Sequence, residues 1–263
     1  MMRTWAVLLA LPTLFGCVAT NPPAAQPAMQ EPMSQQVAVG DARKRAKAHV
    51  ELGMAYLLNE RLAVALDEAR AAISADSSYA LGYNLLALVQ MYLKENRGAE
   101  ENFQRALGLA PGDPEISNNY GWFLCQTDRE QQSIPYFVEA SKVPLYATPT
   151  KPLTNAAICS LAIKDDRGAE EYLSRALRAD PTNIDAQYIL ADLCYRNGRL
   201  DEAKARLDEV HRRRDASAQS AWLGLRIARR QGDRDAESRY AGELRRQFQN
   251  SAEYRMLMQG QFE

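Results

Sequence analysis

Two histidines, His49 and His211, stand far apart in the 263 residues, and no Cys-x-x-Cys pair accompanies them. A histidine-based metal centre therefore has no ligand set to draw on. Charge of one sign is also missing. There are 32 Lys and Arg against 33 Asp and Glu, a net charge of −1, which excludes the broad basic footprint that nucleic-acid binding needs. No nucleophile elbow, P-loop or His-centred pair occurs. The chain thus reads as a non-enzyme without cofactor, metal or small-molecule substrate. The carboxylate pairs Glu100-Glu101 and Glu170-Glu171 fall at equivalent places in two segments and read as solvated helix faces. Long hydrophobic runs are absent too. The longest, Trp5 to Phe15, is too short for a bilayer core of roughly 30 Å, which takes about 20 residues.

That run has the length of a secretory h-region behind a positive Arg3. It ends in Leu14-Phe15-Gly16-Cys17, which resembles the lipobox of bacterial lipoproteins, with Phe15 bulkier than is usual at its place. The resemblance implies a signal peptide over 1–16 and acylation of Cys17. Several acyl chains hold a protein on a membrane where one gives only marginal binding. Val18 follows, where an Asp in many such lipoproteins signals inner-membrane retention, so the expected location is the outer membrane. An ordinary cleaved signal peptide with an incidental cysteine is the alternative. Residues 17–42, with Pro22, Pro23, Pro27 and Pro32 and no amphipathic period, read as the lipidated Cys and a flexible linker.

From 43 to 263 the pattern changes to a repeat. AVALDEARAAISADSS (63–78), GAEENFQRALGLAPGD (98–113), GAEEYLSRALRADPTN (168–183) and RLDEAKARLDEVHRRR (199–214) share a small Ala, and the second and third carry the whole pattern of an aromatic or Leu four later, Ala-Leu three beyond that and Pro five after that Ala. Ala65 to Ala99 is 34 residues, and so is Ala169 to Ala203. That is the period of the tetratricopeptide repeat, a helix–turn–helix unit. Leu52-Gly53, Leu86-Ala87, Tyr120-Gly121, Ala156-Ala157 and Leu190-Ala191 take matching places in the first helices. One unit cannot bury its apolar face alone, so stacked units share a core. The fold is therefore expected to be all-α, a superhelix of about six units at 46–79, 80–113, 114–149, 150–183, 184–216 and 217–250. Pro144, Pro149 and Pro152 make the third unit's closing loop two residues longer than standard.

Asn-Asn-Tyr-Gly-Trp-Phe-Leu-Cys at 118–125, Asn155-Ala-Ala-Ile-Cys159 and the intervening Val-Pro-Leu-Tyr-Ala-Thr-Pro closely resemble the PilF/PilW family. Its members are type IV pilus biogenesis lipoproteins, the pilotins of the pilus secretin. The resemblance implies an outer-membrane lipoprotein on the periplasmic face. It would bind the secretin subunit and promote its localisation and assembly into multimers. A tetratricopeptide scaffold of another envelope-assembly machine, such as β-barrel assembly, is the alternative.

First helices line the concave face of such a superhelix. The register puts Met54, Asn84, Leu88, Met91, Asn118, Trp122, Thr154, Ile158 and Tyr188 there, more apolar than a solvated groove should be. Met and aromatic residues suit adaptable interfaces, and Asn84 and Asn118 suit an extended peptide backbone. The expected occupant is a segment of the secretin. Beyond Cys17 three cysteines remain, an odd number in an exported chain. Cys125 and Cys159 fall on neighbouring first helices within bridging reach. Two buried free thiols are the alternative, and Cys194 is expected free in either case.

Overall fold

A computed structural model describes residues 31–262. The signal peptide expected over 1–16 and the lipidation expected at Cys17 fall outside the described residues. Among those residues there are thirteen α-helices and no strand. Six antiparallel pairs run in chain order. They are α1 (Asp41–Leu58) with α2 (Leu62–Ala75), α3 (Ala80–Tyr92) with α4 (Asn96–Leu109), and α5 (Pro114–Cys125) with α6 (Glu130–Lys142). Then come α7 (Thr150–Ala162) with α8 (Asp166–Ala179), α9 (Ile184–Arg196) with α10 (Leu200–Arg213), and α11 (Ala218–Gln231) with α12 (Arg234–Gln247). A short α13 (Ala252–Gln259) packs on the last pair. The fold is a tetratricopeptide superhelix.

The second helix of each pair buries one narrow stripe. Ala65, Ala69 and Ala72 are fully buried, as are Ala99, Phe103 and Ala106, and Ala169, Leu173 and Ala176. Spacing of i, i+4, i+7 sets those residues on one helix face, and that face meets the first helix of its own pair. The small residues on the first helices make the approach possible. A Cβ built on Gly121 would lie 2.9 Å from the Phe137 ring.

The turn inside each pair needs one residue in the left-handed region. Glu60, Lys94, Asp128 and Lys164 take it in the first four pairs, and Gly198 and Gly232 in the last two. These residues recur every 34 positions except between Asp128 and Lys164, which are 36 apart. The two extra residues lie in the loop after α6. There Leu145 also has a positive φ.

That loop is tied down from both sides. The Tyr146 hydroxyl donates to Glu115 Oε2 at 2.6 Å, and the Gln35 amide spans its backbone, donating to the Leu145 carbonyl at 2.7 Å and accepting from the Ala147 N–H at 2.6 Å. Ser34 N donates to Asp113 Oδ2 at 2.8 Å, while the other oxygen of Asp113 accepts from the N–H groups of Glu115 and Ile116. One carboxylate thus caps α5 and pins the incoming chain. Met33 packs on the first core cluster. Reading all of 17–42 as a flexible linker therefore needs correction. Residues 32–35 are docked, because they satisfy the backbone of the irregular loop, and α1 already begins at Asp41.

The solvated reading of the carboxylate pairs is also corrected in part. Glu100 pairs with Arg129 of the next unit at 2.7 Å, and Glu170 with Arg199 at 2.7 Å. Both carboxylates are about two-thirds covered and staple successive units. Arg129 holds the Glu100 carboxyl below its usual pKa.

Candidate partner-binding groove

The first helices α1, α3, α5 and α7 stand side by side and enclose a groove of about 370 Å³ on the concave face. Its floor is Leu57, Leu88, Met91, Asn118 and Asn119, and its walls include Met54, Trp122 and Asn155. Two residues on its rim decide its character. Leu58 is 80% exposed and Tyr92 57% exposed, both large apolar groups left in water. On the far side Lys151 pairs with Glu115 at 2.7 Å, a polar edge to an apolar trough.

Period 34 explains the sidedness. Met54, Leu88 and Trp122 are 34 residues apart, and so are Leu57, Met91 and Cys125. Each triplet occupies one place in successive helices and forms a stripe along the concave face. Trp122 is half-buried and bridges the first core cluster and the small cluster beneath it.

That small cluster contains the disulfide. Cys125 of α5 and Cys159 of α7 are bonded, with Cα atoms 5.9 Å apart. The bond lies with Phe137 and Ala156 under Trp122. It fixes α5 to α7 beside the long loop, where the repeat register slips. Cys194 is free and buried, and burial pushes its thiol pKa up to about 11.

The asparagines behave otherwise than their register suggests. Asn119 Nδ2 donates to Asn84 Oδ1 at 3.3 Å, Asn118 Nδ2 to Asn119 Oδ1 at 3.3 Å, and Asn155 Nδ2 to Asn118 Oδ1 at 2.9 Å. The four amides form a ladder across α3, α5 and α7. Asn84 and Asn118 are buried, 4% and 1% exposed, and their amides are engaged within the ladder; Asn84 lies off the groove, while Asn118 stays in its floor. Buried amides pair because leaving one unmet costs about 1–3 kcal/mol. Asn155, partly exposed at the end of the ladder, is the least covered of the four amides and also lines the groove.

Three more expected groove residues lie elsewhere. The Thr154 hydroxyl turns back to donate to the Thr150 carbonyl at 3.0 Å. Ile158 is half-buried and does not line the groove. Tyr188 packs against the second core cluster, and burial raises its phenol pKa. Sequence reasoning missed Leu58, Tyr92 and Asn155. The two apolar residues end their helices, one place past the stripe, and exposure alone marks them. Among the described residues no group of three or more His, Cys, Asp or Glu is placed to hold a metal ion, and no helix is long and apolar enough to cross a membrane.

Comparison with known proteins agrees with this architecture. A tetratricopeptide-repeat family model matches residues 164–226. The type IV pilus assembly protein PilF of Pseudomonas aeruginosa is 28% identical over 253 residues, 96% of each chain. Its solved structure superposes with a TM-score of 0.74 at 28% identity, covering 84% of this chain and 100% of the other. The crystal structure of PilW, described as a widely conserved type IV pilus biogenesis factor, superposes with a TM-score of 0.73. It is 32% identical to this chain and covers 81% of it and 98% of its own length. On that identity and coverage, the chain belongs to the PilF/PilW family of tetratricopeptide-repeat proteins.

Proposed function

We propose that this protein serves type IV pilus biogenesis as a non-catalytic lipoprotein adaptor. It is anchored through Cys17 to the periplasmic face of the outer membrane. It binds the pilus secretin subunit and promotes its localisation and assembly into multimers. One observation carries the reading: an open apolar trough on the concave face, with Leu58 and Tyr92 exposed at its rim. Apolar surface rimmed by polar groups marks a protein-binding site. Met54, Leu88, Met91 and Trp122 supply adaptable contact area beneath the rim. The relatives' roles in pilus assembly and biogenesis point to a partner from that machinery.

The test is the double variant Leu58→Asp and Tyr92→Asp. Both side chains are exposed, so the fold stays intact, as circular dichroism will report. Secretin subunit captured by the wild-type chain is lost, and heat-stable secretin multimers disappear from the outer membrane. Unchanged capture by the folded double variant rules the groove out.

A further inference from the structure

A second recess of about 490 Å³ lies at the other end of the concave face, between α9 and α11. Tyr195, Arg196, Arg226, Arg229, Arg230 and Phe262 line it. Four guanidiniums meet there. Arg226 stacks over Tyr195 at 4.7 Å and Trp222 at 5.9 Å, Arg230 over Tyr195 at 5.0 Å, and Arg229 over Phe262 at 3.9 Å. Two carboxylates serve three of the four. Asp192 lies 3.0 Å from Arg196 and 3.5 Å from Arg226, and Glu237 lies 2.9 Å from Arg229. Among the described residues Arg230 donates only to the Tyr195 carbonyl, at 2.9 Å. Arg226 Nε has no acceptor among the described residues. Positive charge is therefore in surplus, and the aromatic faces hold it in place. Stacking leaves the edge of a guanidinium free to donate, and that planar fork matches a carboxylate.

We propose that this recess binds an acidic polypeptide segment, Asp and Glu side chains of a partner pairing with Arg226, Arg229 and Arg230. A peptide fits better than an anionic membrane because the cations sit inside a concavity closed on one side by Phe262, which stacks on Trp222 at 5.6 Å. An extended chain can enter it; a flat bilayer cannot. The site is separate from the apolar trough, and its occupant does not depend on what fills that trough.

The test uses the full chain and a fluorescent dodecapeptide of alternating Asp and Glu, followed by polarisation at low and high salt. Arg226→Gln with Arg230→Gln removes two forks, and Arg229→Glu reverses an exposed charge without touching the core. Each variant weakens binding about tenfold or more, as loss of charged hydrogen bonds implies. Binding also falls with salt. The Leu58→Asp, Tyr92→Asp variant binds the peptide as the wild type does. The proposal is overturned if the Asn/Gln version of the peptide binds equally, if the arginine variants bind like the wild type, or if phosphatidylglycerol vesicles bind and the peptide does not.

Discussion

The two ends of the concave face are built from equivalent first helices in the same register, yet they present opposite chemistry. One position shows the contrast. Met54, Leu88, Trp122 and Ile158 are apolar, whereas the matching residue of α9 is Asp192, paired with Arg196 and Arg226. The turns differ in parallel: charged residues hold the left-handed position in the first four pairs, glycine in the last two. A tetratricopeptide stack fixes where its concave residues stand and leaves their chemistry open. Stability comes from packing within and between units, away from the groove-facing positions, so the lining can change without unfolding the unit. The asparagine ladder and the disulfide both belong to the apolar end. That end needs extra fastening because its four helices cross the irregular loop.

Removing the disulfide is the largest expected effect. Cys125→Ser frees a loop of 34 residues, and loop entropy puts the cost at about 3–4 kcal/mol. Because repeats couple to their neighbours, hydrogen exchange should quicken in α5–α7 and stay nearly unchanged in α10–α12. Equal loosening of both ends would erase the distinction drawn between them. Next comes Asn118→Ala, which strands Asn119 and Asn155 and should cost about 1–3 kcal/mol in unfolding free energy. A near-neutral result in denaturant titration would show that water replaces the ladder.

The smallest effect belongs to the arginine end. His211 of α10 lies 3.0 Å from the Ser220 hydroxyl and against the Tyr240 ring. Burial holds its pKa below the usual value; Arg239 pushes the same way, Glu243 and Asp208 the other. The folded chain therefore takes up this proton less readily than the unfolded one. Stability is present above about pH 6.5 and is lost as the pH falls through that value and on through the folded pKa. Melting temperature should drop from neutral to mildly acidic pH, and His211→Gln should flatten that drop. An identical profile in the variant would remove His211 from the account.

Much of this was legible in the sequence. Ala65, Ala99, Ala169 and Ala203 announce the repeat, and the three prolines after α6 announce the longer loop. The period also places Met54, Leu88, Met91 and Trp122 on one face. It says nothing of a side chain's partner. Asn84 and Asn118 stand on the expected helices, but their partners come from neighbouring units at separations of 35 and 37, off the period. Glu100 and Glu170 were hidden likewise, because a residue 29 further on pairs with each. The arginine recess reads along the chain as ordinary solvated charge. Only stacking across α9 and α11 shows it to be organised. Gln35 gives no sign in its own proline-rich surroundings that it reaches a loop 110 residues away.

The central claim is that the apolar trough receives a secretin segment. Site-specific photo-cross-linking in cells tests it most directly, with the cross-linker replacing Tyr92 on the trough rim or Glu101 on the exposed side of α4. A secretin adduct from position 92 and none from 101 is the expected result. An adduct from 101 with none from 92 would contradict it.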